Sequence, residues 1–115
     1  MSTLAQAADE TAAVLTDWGV HTVTDPRDLN LPGAWLAPSQ IDYQTLTTGP
    51  LRVEWDLYLL APDNGAPLDA LGAMLDQLTP HITLSTVEAL SLTVANQSPD
   101  PLPALHLTFE TEHTP

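Results

Sequence analysis

The side chains able to do chemistry here are four histidines (His21, His81, His106 and His113), the hydroxyl residues and 15 carboxylates. Cysteine is absent from all 115 residues. That removes disulfides, thiolate metal sites and cysteine nucleophiles, and fits a reducing compartment. A nucleophilic hydroxyl needs a neighbouring histidine that a carboxylate orients, and no G-x-S-x-G elbow or comparable turn surrounds any serine. The histidines lack the H-x-x-x-H spacing that sets two imidazoles on one helix face for a metal, so they read as solvated or strand-face residues. His106 and Glu110 share a strand face, but roughly 13 Å of strand separates them, too far to meet at one ion. Asp63-Asn64-Gly65 with Asp69 resembles a calcium loop superficially. It lacks ligands at alternate positions and the closing glutamate, and a turn before a helix with an acid in its first turn accounts for it. Five glycines supply neither a P-loop nor a G-x-G-x-x-G. The expectation is no catalytic, cofactor-binding or metal-binding residue, and no enzyme.

What remains is recognition chemistry. Of Trp18, Trp35 and Trp55, the first and last are expected in the core and Trp35 at an interface. The charge is lopsided: 15 acids stand against Arg27 and Arg52, with no lysine, for a formal net charge of -13. Phosphate backbones would be repelled by such a surface. Each arginine is expected to pair with an acid within the fold, and exposed pairs of that kind stabilise little. With no apolar run near the roughly 20 residues needed to cross a bilayer, a membrane role is not expected. The first ten residues contain acids and no basic region, so a cleaved leader is not expected either.

These residues must be positioned by a small set of elements. Leu4, Ala8, Ala12, Leu15 and Trp18 recur at helical spacing over residues 3–18, and Gly19 follows where a left-handed residue ends helices. Residues 20–24 are β-branched and read as a short strand, and 25–33, with two prolines, as a loop. Residues 34–37 predict a second strand that Pro38 confines to an edge or a bulge, with Ile41 and Tyr43 continuing it. In 51–61, Leu51, Val53, Trp55, Leu57 and Leu59 alternate with Arg52, Glu54, Asp56 and Tyr58, which requires one apolar face and one wetter face. Leu60 makes the wetter face less polar than solvation alone explains, so a partner is expected to cover it. A second helix over 67–78 carries Leu68, Leu71, Leu75 and Leu78 on one stripe, and Pro80 stops it. Residues 87–95 and 104–111 form a hairpin around a loop, 96–103, that holds three prolines. The order α-β-β-β-α-β-β predicts a single α+β domain over 1–115: a mostly antiparallel sheet of about four to five strands with two helices on one face.

Three stretches taken together carry a resemblance. Val23-Thr24-Asp25-Pro26-Arg27-Asp28-Leu29-Asn30, Gln40-Ile41-Asp42-Tyr43, and residues 55–65 (Trp55-Asp56-Leu57-Tyr58-Leu59-Leu60-Ala61-Pro62-Asp63-Asn64-Gly65) resemble the tail terminator proteins of long-tailed phages infecting actinobacteria. The resemblance covers about half the chain and the order of elements at both ends. It implies a virion subunit of the tail and neck, assembled in the host cytoplasm. Six copies would form a ring on the last ring of the tail tube, stop tube polymerisation and join the head-completion or stopper protein. DNA would pass through the lumen without specific binding.

A closed ring of identical subunits uses heterologous contacts, so two unlike surfaces of each copy must fit each other. The candidates are residues 24–33, residues 42–50 and the wetter face of strand 51–61, with Arg27, Asp28, Trp35, Tyr43, Arg52 and Tyr58 as the interface residues. Acids around a channel would let a polyanion slide, and no lysine would anchor it. The subunit is expected to be monomeric or weakly associated until it meets the tube end, since a freely closing ring could not report that the tube was finished. Two alternatives share the small size and acidity: a stopper ring of the same neck, and an acidic DNA mimic that occupies a nucleic-acid-binding enzyme. A small hydrolase would need a concave pocket with a perturbed acid or histidine.

Overall fold

The computed structural model describes residues 3–43, 51–62, 67–82, 86–93 and 101–113. Outside them lie most of the 42–50 loop, the 63–66 turn with its calcium-loop resemblance, and most of the loop between the last two strands. The elements run α1 (Thr3–Asp17), β1 (Thr22–Val23), a short 3-10 turn (Pro26–Asp28), β2 (Gly33–Tyr43), β3 (Leu51–Leu60), α2 (Pro67–Leu78), β4 (Glu88–Leu92) and β5 (Leu102–His113). They build an α+β fold whose five-stranded sheet has the order β1-β2-β3-β5-β4. Every pairing is antiparallel except β1 with β2.

Burial on the two faces follows the sequence pattern. Val53, Trp55, Leu57 and Leu59 project from β3 toward the helices and are fully buried with Leu36, Leu107, Leu15, Leu71, Met74 and Leu78. Both helices contribute to this one cluster, so both lie on the same face of the sheet. α1 closes as the Gly19 position requires: at φ 106° Gly19 donates to the Thr16 carbonyl, and Val20 donates to Leu15. Only glycine adopts that backbone without strain. The buried Thr11 hydroxyl is satisfied by donating to the Ala7 carbonyl at 2.8 Å.

Four expectations need correction. In α2 the buried positions are Leu71, Met74 and Leu78, whereas Leu68 stands 77% exposed; it sits on the flank of that stripe in the first turn. Trp18 is only half-buried and stacks on His81, because it lies just past Asp17, where α1 ends. The strand expected over 20–24 contracts to two residues, since only Thr22 and Val23 find partners, Ala34 and Trp35. Leu60, expected under a partner, is already fully buried by the chain itself. The 24–32 loop folds back over the helix-free face, where Leu29 joins Leu60, Leu102 and Ala104 in a second small core.

Pro38 acts where expected. The β2–β3 register slips between Pro38 and Gln40, leaving Ser39 as the extra residue, with its hydroxyl 3.1 Å from both the carbonyl and Oε1 of Glu54. One inserted residue changes the parity of the strand. Ala34 and Leu36 face the helices before it, and Ile41 faces them after it.

Candidate functional site: the helix-free face of the sheet

Register arranges the helix-free face in rows. The central row is Val23, Trp35, Tyr58, His106 and Glu88, one residue from each strand. Three rings of that row are stacked: Trp35 on Tyr58 with centroids 5.2 Å apart, and Tyr58 on His106 at 4.8 Å, both within 25° of parallel. On one side lies the small core of Leu60, Ala104, Leu90, Leu102 and Leu92, under the loop that carries Leu29. Polar rows lie on the other side. Ala37, Asp56 and Thr108 come first, then Gln40, Glu54 and Glu110, then Asp42, Arg52 and Glu112. The face thus grades from a covered apolar end, through an aromatic band, to an acidic end.

Electrostatics follow that gradient. His106 Nε2 lies 2.8 Å from Asp56 Oδ1, with the two side chains 20% and 24% exposed. Burial, and then the Asp56 charge, push the Tyr58 hydroxyl above its ordinary pKa, because both disfavour a phenolate there. Glu54 and Glu110 face each other directly across β3 and β5, a like-charge pairing that costs stability.

The six residues expected at an interface divide as follows. Trp35 and Tyr58 are in direct ring contact, and Arg52 lies on the same face of β3. Arg27 and Asp28 form the exposed 3-10 turn at the start of the covering loop. Arg27 is held by Asp25 through Nη2–Oδ2 at 2.8 Å and a second bond from Nε. The Arg27 hydrogen bonds hold the Asp25 carboxyl below the usual aspartate range. With side chains 71% and 38% exposed, this pair shapes the turn more than it stabilises the fold. Tyr43 ends β2 opposite Leu51, and its side chain lies outside the described residues.

His106, Asp56 and Glu88 belong to this face and were not among the expected interface residues. The signal was the alternation of β5, but only the β3–β5 register shows that His106 meets Tyr58 and Asp56. Among the described residues no group of three His, Asp or Glu side chains could hold a metal ion, and no helix is long and apolar enough to cross a membrane. No family model, curated protein or solved structure matches the chain.

Proposed function

We propose that the chain is a structural ring subunit, the tail terminator of a long-tailed phage, which caps the tail tube and joins it to the head-completion complex. The observation that carries this reading is the presence, on one elongated body, of two unlike strand edges that run on past the described strands beside them. Among the described residues, β1 pairs with β2 only at Ala34 and Trp35, and β4 pairs with β5 only from Leu102 to His106. The outer edge of β2 beyond Trp35 and that of β5 beyond His106 therefore flank a three-stranded blade in a molecule 50 Å long and 30 Å wide. Exposed edges are templates for pairing. Two different ones, on opposite sides of a subunit, suit the head-to-tail contacts from which rings close. Pro38 and the bulge at Ser39 limit the β2 edge; free subunits therefore associate weakly and close only on a template.

The acidic end of the helix-free face and the charge of -13 support a lumen through which DNA slides. No part of this reading calls for bond-making chemistry. Electron microscopy of particles from a phage deleted for this chain tests it: overlong or ragged tails are expected. Normal tails detached from filled heads would assign the chain to the stopper ring instead, and normal virions would overturn both readings.

A further inference from the structure

Residues 24–32 form a loop whose two ends lie side by side, because Thr22 and Val23 of β1 pair with Ala34 and Trp35 of β2. A loop closed in that way can lift as one piece without breaking the strand pair at its base. Its hold on the sheet is light. Among its described side chains Leu29 alone is buried; Asp25 and Leu31 are half-buried, and Thr24, Arg27, Asp28, Asn30 and Pro32 are exposed. The bonds from Arg27 to Asp25 and from the Asp28 amide to the Asp25 carbonyl lie within the turn and travel with it. Beneath Leu29, the cluster of Leu60, Leu102 and Ala104 is separate from the main core, which ties both helices to β2, β3 and β5. Segments held by few buried groups open at a lower free energy than the core does.

We propose that this loop is a strap: it opens as a unit while the main core stays closed, and when shut it holds back association between copies of the chain. Charge says what it hides. With 15 acids against two arginines, two copies repel unless the surfaces that meet are free of acids. The polar rows of the helix-free face carry Asp56, Glu54 and Glu110, whereas the patch under and beside the strap is Leu60, Leu90, Leu92, Leu102 and Ala104. That patch is uncharged ground next to the Trp35–Tyr58 stack. The closed strap puts a turn with exposed Arg27 and Asp28 in its place. An aliphatic plug on a charged turn thus keeps the free subunit from meeting its like. The inference deepens the ring reading and rests on it only in naming ring closure as the step that the open strap serves.

The chain has no cysteine, so a single introduced thiol reports opening without background. Ala104→Cys places one under the strap and Val53→Cys one in the main core. Both variants are treated with N-ethylmaleimide under native conditions and followed by mass spectrometry over a range of low urea concentrations. The Ala104→Cys thiol should react about 100-fold or more faster than the Val53→Cys thiol, and with a shallower urea dependence, because opening the strap exposes little surface. Leu102→Cys takes its place if Ala104→Cys does not fold. Leu29→Asp, which unseats the plug, should associate in light scattering at about tenfold lower concentration than the parent, and adding Leu90→Glu should reverse this. Leu29→Ser serves where the aspartate prevents a cooperative circular dichroism melt. Equal rates and equal urea slopes for the two thiols would overturn the strap. Plug variants no more associated than the parent, or association that Leu90→Glu leaves untouched, would overturn its role in holding copies apart. Each result is read on the isolated chain, so it stands whatever the tails of the deletion phage look like.

Discussion

Nε2 of His106 sits 2.8 Å from Oδ1 of Asp56, joining two strands that are 50 residues apart in sequence, while the His106 ring stacks on Tyr58. One side chain therefore makes two contacts across the β3–β5 seam. Replacing His106 with alanine removes both and leaves a partly buried carboxylate with less support. The expected cost is about 1–2 kcal/mol in urea unfolding. Asp56→Asn keeps an acceptor at the same place and should cost less than His106→Ala. A His106→Ala protein as stable as the parent would show that the stack and the bond contribute nothing net.

Tyr58 makes a second prediction, about pH. Its hydroxyl is raised above the ordinary value of 10.0 by burial first and by the Asp56 charge second. The unfolded chain releases this proton before the folded one does. The favourable difference is fully present below pH 10, and is lost progressively as pH rises from there through the folded value. In a Tyr43→Phe variant, which leaves Tyr58 as the only tyrosine, absorbance at 295 nm should give a midpoint above 10. Adding Asp56→Asn should lower that midpoint partway, because burial remains. A midpoint at or below 10 would contradict the described environment.

What the sequence made legible and what it did not divide along one line, the range of the contacts involved. β3 was legible because its alternation is a local property, and the structure buries Val53, Trp55, Leu57 and Leu59 together. Gly19 was legible for the same reason, since a helix end is set by the residues next to it. The burial of Leu60 was not, because it depends on Leu29, Leu102 and Ala104 arriving from distant segments. Likewise, no periodicity could place His106 beside Tyr58, because strand register is decided by the whole sheet. Trp18 and Leu68 kept their helical phase but not their burial. Phase is local, while the extent of cover at a helix end is tertiary.

Two glycines should respond oppositely to alanine. A Cβ at Gly72 in α2 meets nothing within 4 Å, so Gly72→Ala removes unfolded-chain entropy at no steric cost. It should stabilise the protein by about 0.5–1 kcal/mol. At Gly33, where β2 begins, a Cβ would overlap the Asn30 carbonyl and press on the Leu29 side chain at 3.3 Å. Backbone cannot move aside there without dislodging the covering loop, so Gly33→Ala should destabilise by about 1–3 kcal/mol. Thermal or urea unfolding of both variants checks the pair. The same sign for both would show that the local geometry is not as described.

The covering loop gives the last prediction. Leu29 is 2% exposed and packs with Leu60, Leu102 and Ala104 on the face opposite the helices, in a cluster separate from the main core. Leu29→Ala should cost about 2–3 kcal/mol through lost burial and the cavity left behind. Its effect should also be local, because the main core keeps every one of its residues. Amide exchange should rise over residues 25–32 and at Leu60 and Ala104, while Leu15, Leu57 and Leu78 keep their relative protection. Loosening this loop exposes Leu60 beside the Trp35–Tyr58 stack and frees the turn that carries Arg27 and Asp28. Since those residues are candidates for subunit contact, the proposed ring role predicts that Leu29→Ala impairs assembly more than its stability loss alone would. A matched control is Leu107→Ala, a buried position on the helix side of β5. Equal assembly defects at equal stability loss would show that the helix-free face plays no part in assembly.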